Sequence, residues 1–284
     1  MNPDQKDICS IVKKHVKGPE KRAGYPYSLG EALGLRGREV ISLVGAGGKT
    51  TLMFRLAKEL ILAGRKVVTT TTTKILEPSS EETPCLYVHD DEESLKQFVL
   101  QHMDRYHHVT IARERLESTK LKGISSDLVS VLCNSRKIEI MIIEADGAAG
   151  RPVKAPREWE PVIPPVSTLV IGILGVDGVG KELNEENLFQ AERISELTGI
   201  PMGKETTCEA MAILMTHPQG IFKGTPPSSR RVAFINKVDI QNGKGWGREI
   251  AEQIFEKKPP QIERVVLGQL RRETPVAEVI FPFD

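Results

Sequence analysis

The chain has 284 residues, with 39 Lys and Arg against 38 Asp and Glu and a formal net charge of +1. That length can bury a large core, and 39% hydrophobic with 27% charged residues is ordinary for a globular domain. Near-neutral charge gives no global field for nucleic acid or anionic membrane, and no segment approaches the roughly eighteen apolar residues of a spanning helix. The amino terminus, MNPDQKDICSIVKKHVKG, lacks the apolar core of a signal peptide. Cys9, Cys85, Cys133 and Cys208 stand apart with no C-x-x-C spacing, which offers no metal or selenium clamp and suits a reducing cytoplasm.

In chain order, residues 7–16 suggest a short helix beside Lys13, Lys14, Lys17, Lys21 and Arg22, a basic cluster that reads as a solvated face. Glu39 to Val44 (EVISLV) is a short buried strand, and Leu52 to Leu62 is the helix that follows. Between them runs Gly45-Ala46-Gly47-Gly48-Lys49-Thr50-Thr51. A glycine-rich turn from strand to helix exposes backbone N–H groups and a positive helix end, which together cradle an anion. Lys49 would place an ammonium on terminal phosphates and Thr50 a hydroxyl on Mg²⁺. The first glycine of the eight-residue P-loop pattern would fall at Leu43 and is absent. The tighter G-x-x-G-K-T-T is similar to the loop of the Mur ligases.

Arg65 to Thr70 gives the second strand and leads into Thr69 through Thr73 and then Lys74. Five threonine hydroxyls sit poorly in an apolar interior, so they are expected at the ligand edge of a parallel sheet, with Thr72 and Lys74 as candidate phosphate or substrate contacts. Glu92 to Met103 and Ser125 to Leu132 read as helices, and His108 to Ala112 as a strand. Because neighbours on a strand face opposite ways, His107-His108 reads as structural. Ile138 to Ile143 is an apolar run expected of a central parallel strand, and it ends in Glu144-Ala145-Asp146-Gly147. A carboxylate there can hold Mg²⁺ or orient an attacking water, and Glu144 and Asp146 both qualify.

Arg151 to Pro165 is a proline-dense loop in which Lys154 and Arg157 are possible phosphate contacts or plain surface charges. Val166 to Leu174 is a further strand, ending in a glycine-rich loop through Asp177 to Lys181 that lacks the Ser or Thr of a second P-loop. Asn187 to Leu197, Cys208 to Met215 and Trp246 to Phe255 look helical. Arg231 to Ile235 is a strand entering Asn236-Lys237-Val238-Asp239. In N-K-x-D the Asp carboxylate accepts two hydrogen bonds from guanine, a donor pair that adenine lacks. Residues 275–283 are apolar enough for an edge strand or a docking segment.

Alternating strands and helices at this spacing predict an α/β, three-layer P-loop nucleoside triphosphatase with a mainly parallel central sheet and helices on both faces. Residues 1–36 are expected as a helical lead and 37–284 as the nucleotide-binding domain.

Gly45 to Thr51, Thr69 to Lys74, Glu144-Ala-Asp-Gly147, and Arg151-Pro-Val-Lys154-Ala-Pro156 followed by Glu160-Pro161 together resemble the YqeC family. The resemblance implies a P-loop nucleoside triphosphatase that helps mature selenium-dependent molybdenum hydroxylases. Its partners would be such an enzyme or its cofactor-processing proteins, and neither nucleic acid nor membrane. Where members often carry His-Arg before Pro-Glu, this chain reads Phe189-Gln190-Ala191-Glu192. A broader likeness is to metallochaperone GTPases of the CobW and urease-accessory kind, without the cysteine-rich metal motif of the CobW group.

Three activities follow as expectations. The first is a GTPase or ATPase accessory factor, with Lys49 and either Glu144 or Asp146 in the chemistry and GTP preferred. The second is a Mur-like ATP-dependent ligase or kinase, and the third a non-hydrolysing nucleotide switch.

Overall fold

The structure is a computed structural model that describes residues 27–257 and 262–282. The helix expected at residues 7–16, with its basic cluster, lies outside the described residues. In chain order the elements are α1 (Leu29–Leu33), β1 (Glu39–Gly45), α2 (Lys49–Leu62), β2 (Val67–Thr71), β3 (Lys74–Leu76) and β4 (Leu86–Val88). Then come α3 (Glu92–Tyr106), β5 (His108–Ala112), β6 (Glu114–Arg115), β7 (Lys120–Lys122), α4 (Ser126–Cys133) and β8 (Ile140–Glu144). The rest are β9 (Leu169–Gly175), α5 (Ala191–Thr198), α6 (Cys208–Thr216), β10 (Arg230–Asn236), α7 (Gly243–Glu256), β11 (Ile262–Gly268) and β12 (Val276–Ile280).

Nine strands form one sheet in the order β12-β11-β10-β9-β1-β8-β2-β5-β4, parallel throughout except for β12 at the edge. β1, β8 and β9 are buried along their whole lengths, as continuous apolar runs in a doubly covered parallel sheet require. Side-chain alternation sends each strand to two cores. On one face Ile41, Leu43, Ile142, Ile171 and Phe234 pack with α1 and α2. On the other, Val68, Met141 and Ile143 pack with α3 and α4, and Val170, Ala233 and Val265 pack with α5, α6 and α7. The fold is three-layered.

Helix starts obey the sequence. Ser28 and Glu31 form a capping box on α1, and Asp91, Ser125 and Thr207 cap α3, α4 and α6 through side-chain oxygens. Gly48 at the start of α2 brings no side chain. The Leu29 and Gly30 amides donate to the Glu59 carboxylate at 2.8 Å, fixing α1 onto α2.

Three features lie beyond the sequence reading. β4 and β11 are additional parallel strands, and β3, β7 and β6 make a small antiparallel sheet of their own. The small strands bury only Ile75 and Leu121 between exposed neighbours, so they carry no apolar run to detect. Residues 276–280 do form the expected edge strand. Among the described residues no helix is long and apolar enough to cross a membrane.

This topology places β1 between β8 and β9, with β10 next along. Register pairs Leu43 with Glu144, Gly45 with Ile173 and Asn236 with Gly175, so four strand ends meet at the carboxyl edge, where open α/β sheets take ligands.

Candidate functional site

The turn from β1 to α2 is shaped by close backbone approach. Gly47 (φ +82) has so little room that a Cβ would lie 2.3 Å from the Gly175 nitrogen and 2.6 Å from the Pro152 oxygen. A Cβ on Gly48 (φ +139) would meet the Asn236 amide nitrogen at 2.4 Å. Only glycine tolerates both conditions. The Gly45, Ala46 and Gly47 amides are already engaged, donating to Asp146 Oδ2, Ile173 O and Arg151 O. The amides of Gly48, Lys49, Thr50 and Thr51 have no acceptor among the described residues. The amides free to meet an anion are therefore those of the first turn of α2, one step later than the glycines alone suggest.

Lys49 curls back over this turn. Its Nζ donates to Gly45 O at 2.6 Å and lies 3.1 Å from Asp146 Oδ1 and 3.7 Å from Glu144 Oε1. Burial alone would lower its pKa, but Asp146 and Glu144 outweigh that and hold the ammonium above its ordinary range. The Thr50 hydroxyl donates to Glu144 Oε2 at 2.7 Å. Burial pushes the Glu144 carboxyl up, against the pull of Lys49 and Thr50. Thr51 follows in the same helical turn, beside the others.

The structure thus brings together Gly45 to Thr51, Glu144 and Asp146. A hydroxyl touching a carboxylate beside a free helix end suits Mg²⁺, which keeps several waters and takes few protein ligands. Thr50 and Glu144 are the fitting pair, because both Asp146 oxygens face cations or an amide.

Asn236 joins this side as well. Its Nδ2 donates to Gly47 O at 2.8 Å and its Oδ1 accepts from the Leu270 amide at 3.2 Å, clasping the turn to the loop after β11. The other two members of the motif point elsewhere. Lys237 (φ +65) pairs with Asp177 at 2.6 Å, and Asp239 pairs with Arg272 at 2.8 Å.

The threonines divide in the same way. Thr69 bonds His108 and Thr110, Thr70 donates to Ile111 O, and Thr71 donates to Glu144 O. Neighbouring strands, not a ligand, satisfy these hydroxyls. Thr72 donates to Val162 O at 2.7 Å, and Lys74 is exposed on β3 opposite Lys122. Lys74 is therefore in a separate sheet from the Lys49 cluster. His108 is buried, and burial lowers its pKa to about 4, in keeping with a structural imidazole.

The profile of the YqeC family (YqeC protein) matches residues 41–192. "Uncharacterized protein YqeC" of Escherichia coli strain K12 is 34% identical over 240 residues, covering 84% of this chain and 90% of its own length. The chain belongs to the YqeC family. The part matching the family profile runs from β1 through β8 and the proline-dense loop to the start of α5, so it contains Lys49, Glu144, Asp146, Lys154 and Glu160. It ends before Asn236, Lys237 and Asp239.

Within that family-wide segment, the two residues least visible from sequence are Lys154 and Glu160. Lys154 is fully buried, 3.2 Å from Asp146 Oδ2 and 2.6 Å from both Glu160 Oε2 and Gly147 O. Burial would raise the Glu160 carboxyl, yet Lys154 and the amides of Arg157 and Gly147 hold it below its ordinary range. As one of two alternatives for Lys154, surface charge is excluded by this burial. The Phe189 ring lies 5.6 Å from the Lys154 ammonium and 5.0 Å from the Arg157 guanidinium.

Proposed function

We propose that this protein binds a nucleoside triphosphate with Mg²⁺ and hydrolyses it, GTP in preference to ATP, as an accessory factor for a selenium-dependent molybdenum hydroxylase. The observation that carries the reading is the Lys49 cluster. A lysine at an uncapped helix start, held by Gly45 O and two strand-end carboxylates, is a cation stored where a phosphate would take it over.

The division of labour follows from the contacts. The amides of Gly48 to Thr51 receive phosphate oxygens, and Lys49 swings from Gly45 O towards the terminal phosphates. Thr50 and Glu144 would hold Mg²⁺, which would supply charge neutralisation to the transferring phosphoryl group. Glu144 or Asp146 would orient the water that attacks in line. Asp146 holds the turn through the Gly45 amide. Asn236 ties the turn to the base side, where Asp239 would read guanine once freed from Arg272.

The accessory role is what the resemblance to the YqeC family implies, and the chemistry is argued from the site. Phosphate release from Mg²⁺-GTP and Mg²⁺-ATP by the full-length protein tests the hydrolase reading, with Lys49→Ala as the control. Turnover lost in the variant supports it. Equal turnover in both proteins overturns the site assignment. Tight binding without turnover would favour the switch over the hydrolase.

A further inference from the structure

Five ionisable side chains meet at the carboxyl ends of β1 and β8, and all are buried: Lys49, Glu144, Asp146, Lys154 and Glu160. Four of them form a line of alternating charge. Lys49 lies 3.1 Å from Asp146, Asp146 lies 3.2 Å from Lys154, and Lys154 lies 2.6 Å from Glu160. Burying so many charges is costly unless each is paired, and removing one partner leaves its neighbour uncompensated. The proposed function asks Lys49 to leave Asp146 for a phosphate. Without a second cation, that departure would strand a buried carboxylate.

Lys154 is that second cation. It approaches Asp146 from the side opposite Lys49, on Oδ2, the oxygen that also accepts from the Gly45 amide. It comes from the loop after β8, and its Nζ is fixed by Gly147 O and Glu160. Glu160 is fixed in turn by the Gly147 amide at 3.3 Å and the Arg157 amide at 3.4 Å. A lysine with no exposed surface and three anionic or carbonyl partners has no path to a phosphate itself.

We propose that Lys154 is a positioning residue of the phosphate site, the resident counter-charge of Asp146 that allows Lys49 to exchange between its stored position and a bound triphosphate. This inference rests on the nucleotide reading above. Glu160 tunes it by sharing the Lys154 ammonium. Weakening the Glu160 share gives Asp146 more of Lys154 and loosens its hold on Lys49.

The two partners therefore act in opposite directions, which a merely structural role would not produce. Titration calorimetry of the full-length protein with Mg²⁺-GTP and with Mg²⁺-ATP reads the effect, and thermal melting confirms folding. Lys154→Met should weaken triphosphate binding by roughly tenfold or more, while Glu160→Gln should tighten it by roughly two- to fivefold. If Lys154→Met does not fold, Lys154→Met/Glu160→Gln removes one charge of each sign and carries the same expected loss. Wild-type binding with both single variants weakened, or with neither changed, overturns the role of Lys154. If the wild type binds neither nucleotide, the proposed function itself fails.

Discussion

The two ends of the ligand edge are built differently. Around the turn from β1 to α2, Lys49, Glu144, Asp146, Lys154 and Glu160 are all buried and interlocked, so each charge depends on its neighbours. At the other end, Lys237 and Asp239 are held by partly exposed pairs with Asp177 and Arg272. Exposed pairs contribute about 0–1 kcal/mol and exchange readily, whereas breaking a buried pair costs several times more. Asn236 is the link, buried and bonded both to the Gly47 carbonyl and to the Leu270 amide. In the nucleotide reading proposed above, this contrast makes one sheet edge a rigid, pre-organised phosphate cradle beside an adjustable base pocket.

The largest expected effect is on the rigid side. Lys49→Ala should lower phosphate release by roughly a hundredfold or more, since phosphoryl transfer rests on positioned charge. Steady-state turnover near the wild-type rate would remove Lys49 from the chemistry.

The same burial has a stability consequence beneath the threonine run. His108 is held neutral with a pKa of about 4 against an ordinary 6.5. Between those values the unfolded chain takes up a proton here that the folded chain refuses, so stability falls as pH drops from 6.5 towards 4. Over that window the loss from this group is about 3 kcal/mol. Denaturant melts across the window should show the decline in the wild type and a flatter slope in His108→Gln. Equal slopes would show that the group is not the cause.

On the adjustable side the effects shrink. Asp239→Asn should reduce the preference for GTP over ATP by roughly tenfold, through loss of the carboxylate that reads the guanine donors. Competition binding measures the ratio, and an unchanged ratio would detach base choice from Asp239. Smallest of all, Arg272→Ala should raise the GTP preference by less than about fivefold, because the pair it removes is exposed. A fall in preference would mean that Arg272 contacts the nucleotide directly.

Much of this was legible in sequence for physical reasons. Central strands such as Ile140–Glu144 are buried on both faces and so read as unbroken apolar runs, and capped helices announce their starts through Ser, Asp or Thr. β3, β6 and β7 were not legible, because strands of two or three residues with at most one buried side chain have no period to detect. The turn from β1 to α2 was visible as Gly45 to Thr51, but the glycines' reason was not. They admit Gly175, Pro152 and Asn236 at close range, contacts made across the sheet. Sequence left Lys154 open between a phosphate contact and a surface charge, since its burial depends on how residues 151–165 fold back over β8. For Glu144 and Asp146, strand alternation correctly placed both at the edge. Only the three-dimensional contacts separate a carboxylate on the Thr50 hydroxyl from one clamped between two lysines.

A crystal structure with Mg²⁺ and a non-hydrolysable triphosphate tests the central claim most directly. The account predicts the phosphate tail on the amides of Gly48 to Thr51, with Lys49 Nζ moved off Gly45 O and onto it, and Asp146 still on Lys154. A nucleotide bound elsewhere, with Lys49 unmoved between Gly45 and Asp146, would contradict it.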